Sequence, residues 1–235
     1  MAIQPYAVKP LKPKLKVLIY GRPGVGKTQF GATAQLHPDM KDVLFLNVEG
    51  GLLTVAGQGV FAADVGKGTS GKHNVISDLE SVIFAIAGKK PGYENINTIV
   101  VDSASEIQTK ELEDSGQDYK TNTSTLKRIF RMLKDLNVNV VFTALANTEY
   151  KQNTTEPQSV SPGLTPKVSE SLMGYVDCVW YYFKDAKGER CLLTNEKGVF
   201  RAKTRNAKFQ SLIGEVVKNP NLSELYTKLC EALNG

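Results

Sequence analysis

The sequence of 235 residues has no apolar run close to the roughly 20 residues that a membrane-spanning helix requires. Its first residues also lack the apolar stretch of a secretory signal peptide, because prolines interrupt them. The three cysteines are scattered and form no CxxC pair, which argues against both a disulfide framework and a zinc site. We therefore expect a cytoplasmic protein with no membrane partner and with free thiols.

The remaining composition is that of an ordinary globular chain, with 41% apolar and 23% charged residues. The net charge of +5 is unevenly distributed. Segment 1–20 carries four lysines and no acidic residue, and segment 184–208 carries eight lysines and arginines against three acidic residues. Such clusters favour phosphate-bearing partners, and a solvated basic surface is the alternative interpretation.

Short apolar runs alternate along the chain with segments of helical periodicity. The apolar runs predict strands at 15–20, 43–48, 98–101 and 138–146. Apolar residues at helical spacing predict helices at 28–36, 75–86 and 126–136, and a closing helix at 222–233. We expect an α/β fold with a mostly parallel sheet flanked by helices, since near-continuous apolar strands are typical of sheets covered on both faces.

Two parts of the chain differ from this pattern. Polar segment 147–166 contains three prolines and is predicted to be either a functional loop or a disordered one. Segments 176–183, 190–194 and 198–204 are predicted to form antiparallel strands joined by turns. The domain organisation we expect is an extended amino-terminal segment at 1–14 followed by one domain at 15–235.

The run GRPGVGKT, from Gly21 to Thr28, matches the phosphate-binding pattern GxxxxGK[ST]. It follows an apolar strand and precedes a helix, which is the context that this mechanism needs. Its glycines allow successive backbone N–H groups to face phosphate oxygens, and Lys27 is expected to reach the β- and γ-phosphates of ATP. The predicted nucleotide-binding residues of this segment are Gly21, Arg22, Pro23, Gly24, Val25, Gly26, Lys27, Thr28 and Gln29.

A magnesium nucleotide also requires a carboxylate at the end of a neighbouring buried strand. Asp102 ends the run TIVVD and is predicted to bind Mg²⁺ together with the hydroxyl of Thr28. Many ATPases have a glutamate directly after this aspartate, but Ser103 occupies that position here. Glu49 directly follows the predicted strand VLFLNV and is the candidate to hold the attacking water and accept its proton. The alternative for Glu49 is a solvent-exposed side chain in a glycine turn.

Together these residues resemble the RecA family of ATPases. The resemblance implies a RecA-like P-loop core in which a glutamate at the end of the second strand is catalytic. It also implies that basic residues of an adjacent subunit complete the ATP site, and Lys203 and Arg205 in the run AKTR match that element. A basic surface strand is the alternative interpretation of these two residues.

More narrowly, residues 15–208 resemble the phage-type AAA-domain proteins described as core-only RecA-like recombinases, the Sak group of single-strand annealing proteins. The matching runs are GRPGVGKT, LFLNVEGG, IVVDS, VVFTALAN and AKTR. The resemblance implies ATP-dependent binding and annealing of single-stranded DNA, alongside a single-strand-binding protein. It implies a phage origin and action in the cytoplasm of the host.

Segment 147–166 corresponds in position to the DNA-binding loop of that family. DNA contacts there would depend on Tyr150, Lys151 and Lys167, and Asn147 would sense the γ-phosphate. An ordinary polar loop start is the alternative for Asn147. In the polymers of this family an aromatic-alanine tail docks on the next subunit, and Tyr6-Ala7 suits that role in a ring or filament. A disordered terminus is the alternative.

Two other functions share these motifs. The first is a nucleotide-switched assembly or packaging factor that binds protein, which is favoured because segment 147–166 is not basic and carries one lysine against two glutamates. The second is a small-molecule kinase, but such enzymes usually carry an arginine-rich lid, and no such segment follows the predicted core.

Overall fold

The computed structural model describes residues 12–67, 75–116 and 118–234. Tyr6 and Ala7, which were predicted to dock on another subunit, lie outside these ranges. Within them the strands are β1 Lys16–Gly21, β2 Val43–Asn47, β3 Phe61–Asp64, β4 Thr98–Asp102, β5 Asn139–Tyr150, β6 Pro157–Pro162, β7 Cys178–Lys184, β8 Arg190–Leu193, β9 Lys203–Thr204 and β10 Val216–Lys218. The helices are α1 Lys27–Ala32, α2 Val75–Ala87, α3 Ala104–Asp114, α4 Tyr119–Asp135, α5 Pro166–Tyr175, α6 Ala207–Ile213 and α7 Leu222–Asn234.

The strands form one sheet in the order β10-β8-β7-β1-β5-β4-β2-β3. Every neighbouring pair from β7 to β3 is parallel, whereas β8 and β10 continue the sheet antiparallel. Strand β6 pairs antiparallel with the outer half of β5, and β9 pairs antiparallel with the start of β7. This confirms the expected α/β fold with a mostly parallel sheet and antiparallel carboxyl-terminal strands.

Helices cover both faces of the sheet. Side chains of β1 alternate between two apolar clusters, with Leu18 and Tyr20 on one face and Val17 and Ile19 on the other, all of them buried. The first cluster packs against α2 to α5, and the second packs against α1, α6 and α7. Burial on both faces explains why the strands are continuous apolar runs in the sequence.

The expectation for segment 147–166 is wrong. Strand β5 extends to Tyr150 and folds back through β6 as a hairpin, after which α5 begins at Pro166. Prolines occupy only the first and last positions of β6, which is compatible with a strand because the backbone N–H groups between them remain available for pairing.

Other predicted boundaries also change. The strand expected at 198–204 is reduced to β9, and the helix expected at 28–36 is α1 followed by a 3₁₀ turn at Thr33–Leu36. Besides β6, two strands and three α-helices were not predicted, namely β3, β10, α3, α5 and α6.

Candidate functional site

The segment from Gly21 to Thr28 lies at the carboxyl end of β1 and leads directly into α1. Gly24 and Gly26 have φ angles of 72° and 108°, a region that favours glycine. A Cβ atom on Gly21 would lie 2.2 Å from the carbonyl oxygen of Tyr182, so this glycine lets the loop begin directly against β7. The backbone therefore has the glycine-dependent curvature of a phosphate-binding loop.

Lys27 folds back over this loop. Its Nζ atom donates hydrogen bonds to the carbonyl oxygens of Gly21 at 3.0 Å and Arg22 at 3.1 Å. Burial lowers the pKa of Lys27, and the negative charges of Glu49 and Asp102 oppose that effect. The ammonium group thus lies within the field of both predicted carboxylates.

Asp102 at the end of β4 joins helix α1 to strand β5. Its Oδ2 accepts a hydrogen bond from the hydroxyl of Thr28 at 2.8 Å, and its Oδ1 accepts one from the hydroxyl of Thr143 at 2.6 Å. The side chain of Asp102 is therefore held between α1 and the middle of β5. A hydroxyl beside one carboxylate suits Mg²⁺, which takes one or two protein oxygens and completes its shell with water and phosphate. The described residues contain no larger group of metal-ligating side chains.

Glu49 lies next to this pair. The backbone N–H groups of Val48 and Glu49 both donate to the carbonyl oxygen of Asp102, at 3.0 and 3.3 Å. The hydroxyl of Ser103 donates a hydrogen bond to Oε1 of Glu49, and the same hydroxyl accepts one from the N–H of Glu106 at the start of α3. Ser103 is buried while Glu49 is exposed, so the carboxylate is fixed on one side and open to solvent on the other.

The remaining predicted nucleotide-binding residues have different surroundings. Arg22 and Pro23 are exposed on the loop, Val25 is buried in the core, and Gln29 forms a reciprocal amide pair with Gln58. Asn147 is exposed on β5.

The register of β5 gives the position of Asn147. Leu145 lies opposite Gly21, so Asn147 is two residues beyond the start of the loop, about 7 Å further along the strand. Asn147 therefore lies at the same sheet edge as the loop, on the adjacent strand.

Lys203 and Arg205 lie away from the loop, on the far side of β7 from β1. Lys203 pairs with Val179, which pairs in turn with Leu18, three residues before Gly21. Two strand spacings and three residues of rise separate the Cα atoms of Lys203 and Gly21 by about 14 Å. The guanidinium of Arg205 contacts the carbonyl oxygen of Gly174 at the end of α5. Neither side chain reaches the loop of its own chain.

The predicted DNA-binding residues lie on two different elements. Tyr150 and Lys151 are at the tip of the β5–β6 hairpin, where Tyr150 is exposed. Lys151 forms an ion pair with Glu156 at 2.9 Å, which leaves the tip close to neutral. Lys167 is exposed in the first turn of α5.

Three features of the site were missed in the sequence. Thr143, which holds Asp102, is one of them. Arg190 is the second, since its Nε atom lies 3.1 Å from where a Cβ atom on Gly26 would be. The third is a groove of about 730 Å³ whose lining includes Tyr119, Lys120, Lys127 and Lys167, called here the basic groove. The sequence could have indicated this groove, because Lys120 and Lys127 are seven residues apart and so share one face of a helix.

None of the helices within the described residues is both long enough and apolar enough to cross a membrane.

A family model described as "AAA domain" matches residues 13–206, which includes the loop, both carboxylates, the hairpin and Lys203. A search of curated proteins finds no significant match to the chain.

Proposed function

Because the chain belongs to the AAA-domain family of P-loop nucleotide-binding proteins, we propose that it hydrolyses ATP at the site between β1, β2 and β4 and couples the nucleotide to binding and annealing of single-stranded DNA. The hydrogen bond of 2.8 Å between Thr28 and Asp102 carries the first half of this proposal. It brings the two predicted magnesium ligands together from positions 74 residues apart in the chain.

Each residue of the site has a distinct task in this reaction. The backbone N–H groups of Gly24 to Thr28 bind the phosphates, and Lys27 moves from the loop carbonyls to the β- and γ-phosphate oxygens. Mg²⁺, held by Thr28 and Asp102, would neutralise part of the phosphate charge. Glu49 orients the attacking water and takes its proton, while the hydroxyl of Ser103 keeps the carboxylate in place.

The basic groove supports the second half of the proposal. Lys120, Lys127 and Lys167 supply three positive charges to the backbone of a strand. Tyr119 has 59% of its surface exposed, which leaves its ring free to stack on a base. A groove that combines cations with an exposed aromatic ring has the features of a single-strand binding surface.

We further propose that the protein assembles with itself into a ring or filament. Lys203 and Arg205 lie too far from the loop to act in the same chain, so they would reach the ATP site of a neighbour and neutralise the γ-phosphoryl charge there. The segment at 1–14 would dock on the next subunit, and a single-strand-binding protein would deliver the DNA.

One observation favours a second function. The ion pair between Lys151 and Glu156 removes the charge that DNA binding at the hairpin tip would use. An assembly factor that binds protein through this hairpin would need no such charge.

The decisive experiment measures ATP hydrolysis with and without single-stranded DNA, with Lys27→Ala as the blank. We expect stimulation by DNA that disappears in the blank. We also expect Lys127→Ala to weaken DNA binding and to lower its salt slope by about 0.7, the loss of one single-strand phosphate contact. The matched control is Lys134→Ala, on the same helix but paired with Asp135 and outside the groove lining.

The DNA-binding proposal would be contradicted if single-stranded DNA did not change the rate of ATP hydrolysis and if Lys127→Ala and Lys134→Ala bound DNA with equal affinity. That result would favour the protein-binding assembly factor. Unchanged turnover in Lys27→Ala would contradict the ATPase site itself.

A further inference from the structure

A cavity of about 350 Å³ lies beside the phosphate-binding loop. One wall is the outer part of the loop, from Arg22 to Val25, and the other is the end of β7, from Tyr181 to Lys184. Phe200 closes it. The site described above, between β1, β2 and β4, uses none of the three aromatic side chains Tyr181, Phe183 and Phe200.

These three side chains form a continuous stack, called here the aromatic shelf. The rings of Tyr181 and Phe183 are 5.6 Å apart and nearly parallel, with an interplanar angle of 9°. The rings of Tyr181 and Phe200 are 4.5 Å apart at 26°. Tyr181, Phe183 and Phe200 are each only partly buried, so the stack presents surface to the cavity.

The register of the sheet fixes the height of the aromatic shelf relative to the loop. Strand β7 runs parallel to β1 with Tyr181 opposite Tyr20. Phe183 is therefore level with Arg22, where the loop leaves the strand. Alternate residues of a strand point to the same face, so Tyr181 and Phe183 project together while Tyr182 is buried on the other side.

We propose that the aromatic shelf binds the purine base of the nucleotide, by stacking, while the loop holds its phosphates. This inference rests on the proposed nucleotide site and deepens it by assigning the base subsite. The base of a nucleotide is joined to its phosphates by one ribose, and the cavity shares the wall Arg22 to Val25 with the loop, so one ligand can occupy both. Aromatic rings are suited to this role because they stack on the π-face of a base.

The charges around the cavity agree with this assignment. Arg22 and Lys184 are exposed at its rim, and both are cations. Burial raises the pKa of Tyr181, and the positive charge of Arg22 opposes that rise, which indicates that the guanidinium lies near the phenol. The rim therefore offers hydrogen-bond donors to an acceptor-rich ring and positive charge to the adjoining phosphates.

The test separates the base from the phosphates. Binding of Mg·ATP and of Mg·tripolyphosphate, which has the phosphates without the base, is measured by calorimetry for the wild type and for Phe183→Ser. We expect the Kd of Mg·ATP to rise about tenfold in the variant, as for loss of one stacking partner, and the Kd of Mg·tripolyphosphate to stay the same. The matched control is Phe84→Ser, an exposed aromatic on α2 that is 58% exposed, which should change neither affinity.

Three results would overturn the inference. An unchanged Mg·ATP affinity in Phe183→Ser would show that the base does not use the aromatic shelf. Equal losses for both ligands would show that the variant disturbs the loop rather than a base subsite. A wild-type protein that binds neither ligand would overturn the nucleotide site as well, so the two failures are distinguishable.

Discussion

Replacing Thr143 by valine removes one hydroxyl from the interior of the site and keeps the shape of the side chain. Thr143 has no exposed surface, and its hydroxyl donates to Oδ1 of Asp102 at 2.6 Å. A hydrogen bond to a charged group contributes about 1.5–3 kcal/mol to stability, and valine leaves that carboxylate oxygen without its partner. We therefore expect Thr143→Val to lower the free energy of unfolding by about 2 kcal/mol, or Tm by about 4–8 °C for a chain of this size.

The matched control is Thr98→Val, also in a fully buried position. Its hydroxyl donates to the neutral carbonyl oxygen of Met40 at 2.7 Å, so its loss should cost only about 1 kcal/mol. Thermal unfolding and Mg·ATP affinity are measured for both variants. We expect only Thr143→Val to weaken Mg·ATP binding, because the hydroxyl of Thr143 holds Asp102, which also accepts from Thr28, whereas the hydroxyl of Thr98 donates to a backbone carbonyl oxygen. Equal destabilisation by the two substitutions, with equal affinities, would refute the role assigned to Thr143.

Two further predictions concern the ends of β1. Burial lowers the pKa of Lys16 to about 8 from an ordinary value of 10.5, against the opposing charge of Asp177. Between these two pH values the unfolded chain therefore binds more protons than the folded chain. The free energy of unfolding should rise from pH 8 to 10.5, by at most about 3 kcal/mol, when it is measured by urea titration and compared with Lys16→Met. At the other end of β1, Gly21→Ala places a Cβ atom 2.2 Å from a backbone oxygen of β7 and should lower the free energy of unfolding by about 1–3 kcal/mol. In the control Gly51→Ala the new Cβ atom meets nothing within 4 Å, so the free energy of unfolding should change by less than about 0.5 kcal/mol in the same assay. If the difference in free energy of unfolding between the wild type and Lys16→Met does not change with pH, the first prediction is contradicted. Equal unfolding midpoints for the two glycine variants would contradict the second.

The core strands could be predicted because burial on both faces makes them continuous apolar runs. Helix α3 could not be found in this way, since Ala104 and Ile107 are its only buried apolar residues. It did have a local signal, because Ser103 followed by Glu106 has the spacing of a capping box, and the Ser103 hydroxyl accepts from the N–H of Glu106. Helix α5 likewise begins with proline at its first position, a recognised start signal.

The hairpin of β5 and β6 depends on pairing rather than on local composition. Its residues are mostly polar, so the apolar pattern that marks the inner strands is missing beyond Leu145. Thr143 was missed for a related reason. Its partnership with Asp102 joins residues 41 apart and exists only because β4 and β5 are neighbours in the sheet. Sequence patterns predict which residues can bind a nucleotide, and the sheet register decides which residues hold them.

Hydrogen bonds at the start of helix α3 connect the predicted nucleotide site to the β5–β6 hairpin, beyond which the basic groove begins. The hydroxyl of Ser105, two residues after Ser103, accepts a hydrogen bond from the N–H of Leu145 at 3.0 Å and donates one to the carbonyl oxygen of Gly163 at 2.9 Å. It thus joins both arms of the hairpin at its base.

Directly beyond Gly163, the N–H of Thr165 donates to the side chain of Gln108 on α3 at 2.9 Å, and Thr165 lines the basic groove beside Lys167. Helix α3 therefore begins at the carboxylate site and contacts the chain where the groove begins. A shift of α3 that accompanies nucleotide binding at Asp102 would change the position of Lys167. That contact supports the proposal that ATP controls DNA binding, because helix α3 begins at the carboxylate site and contacts the chain beside the basic groove.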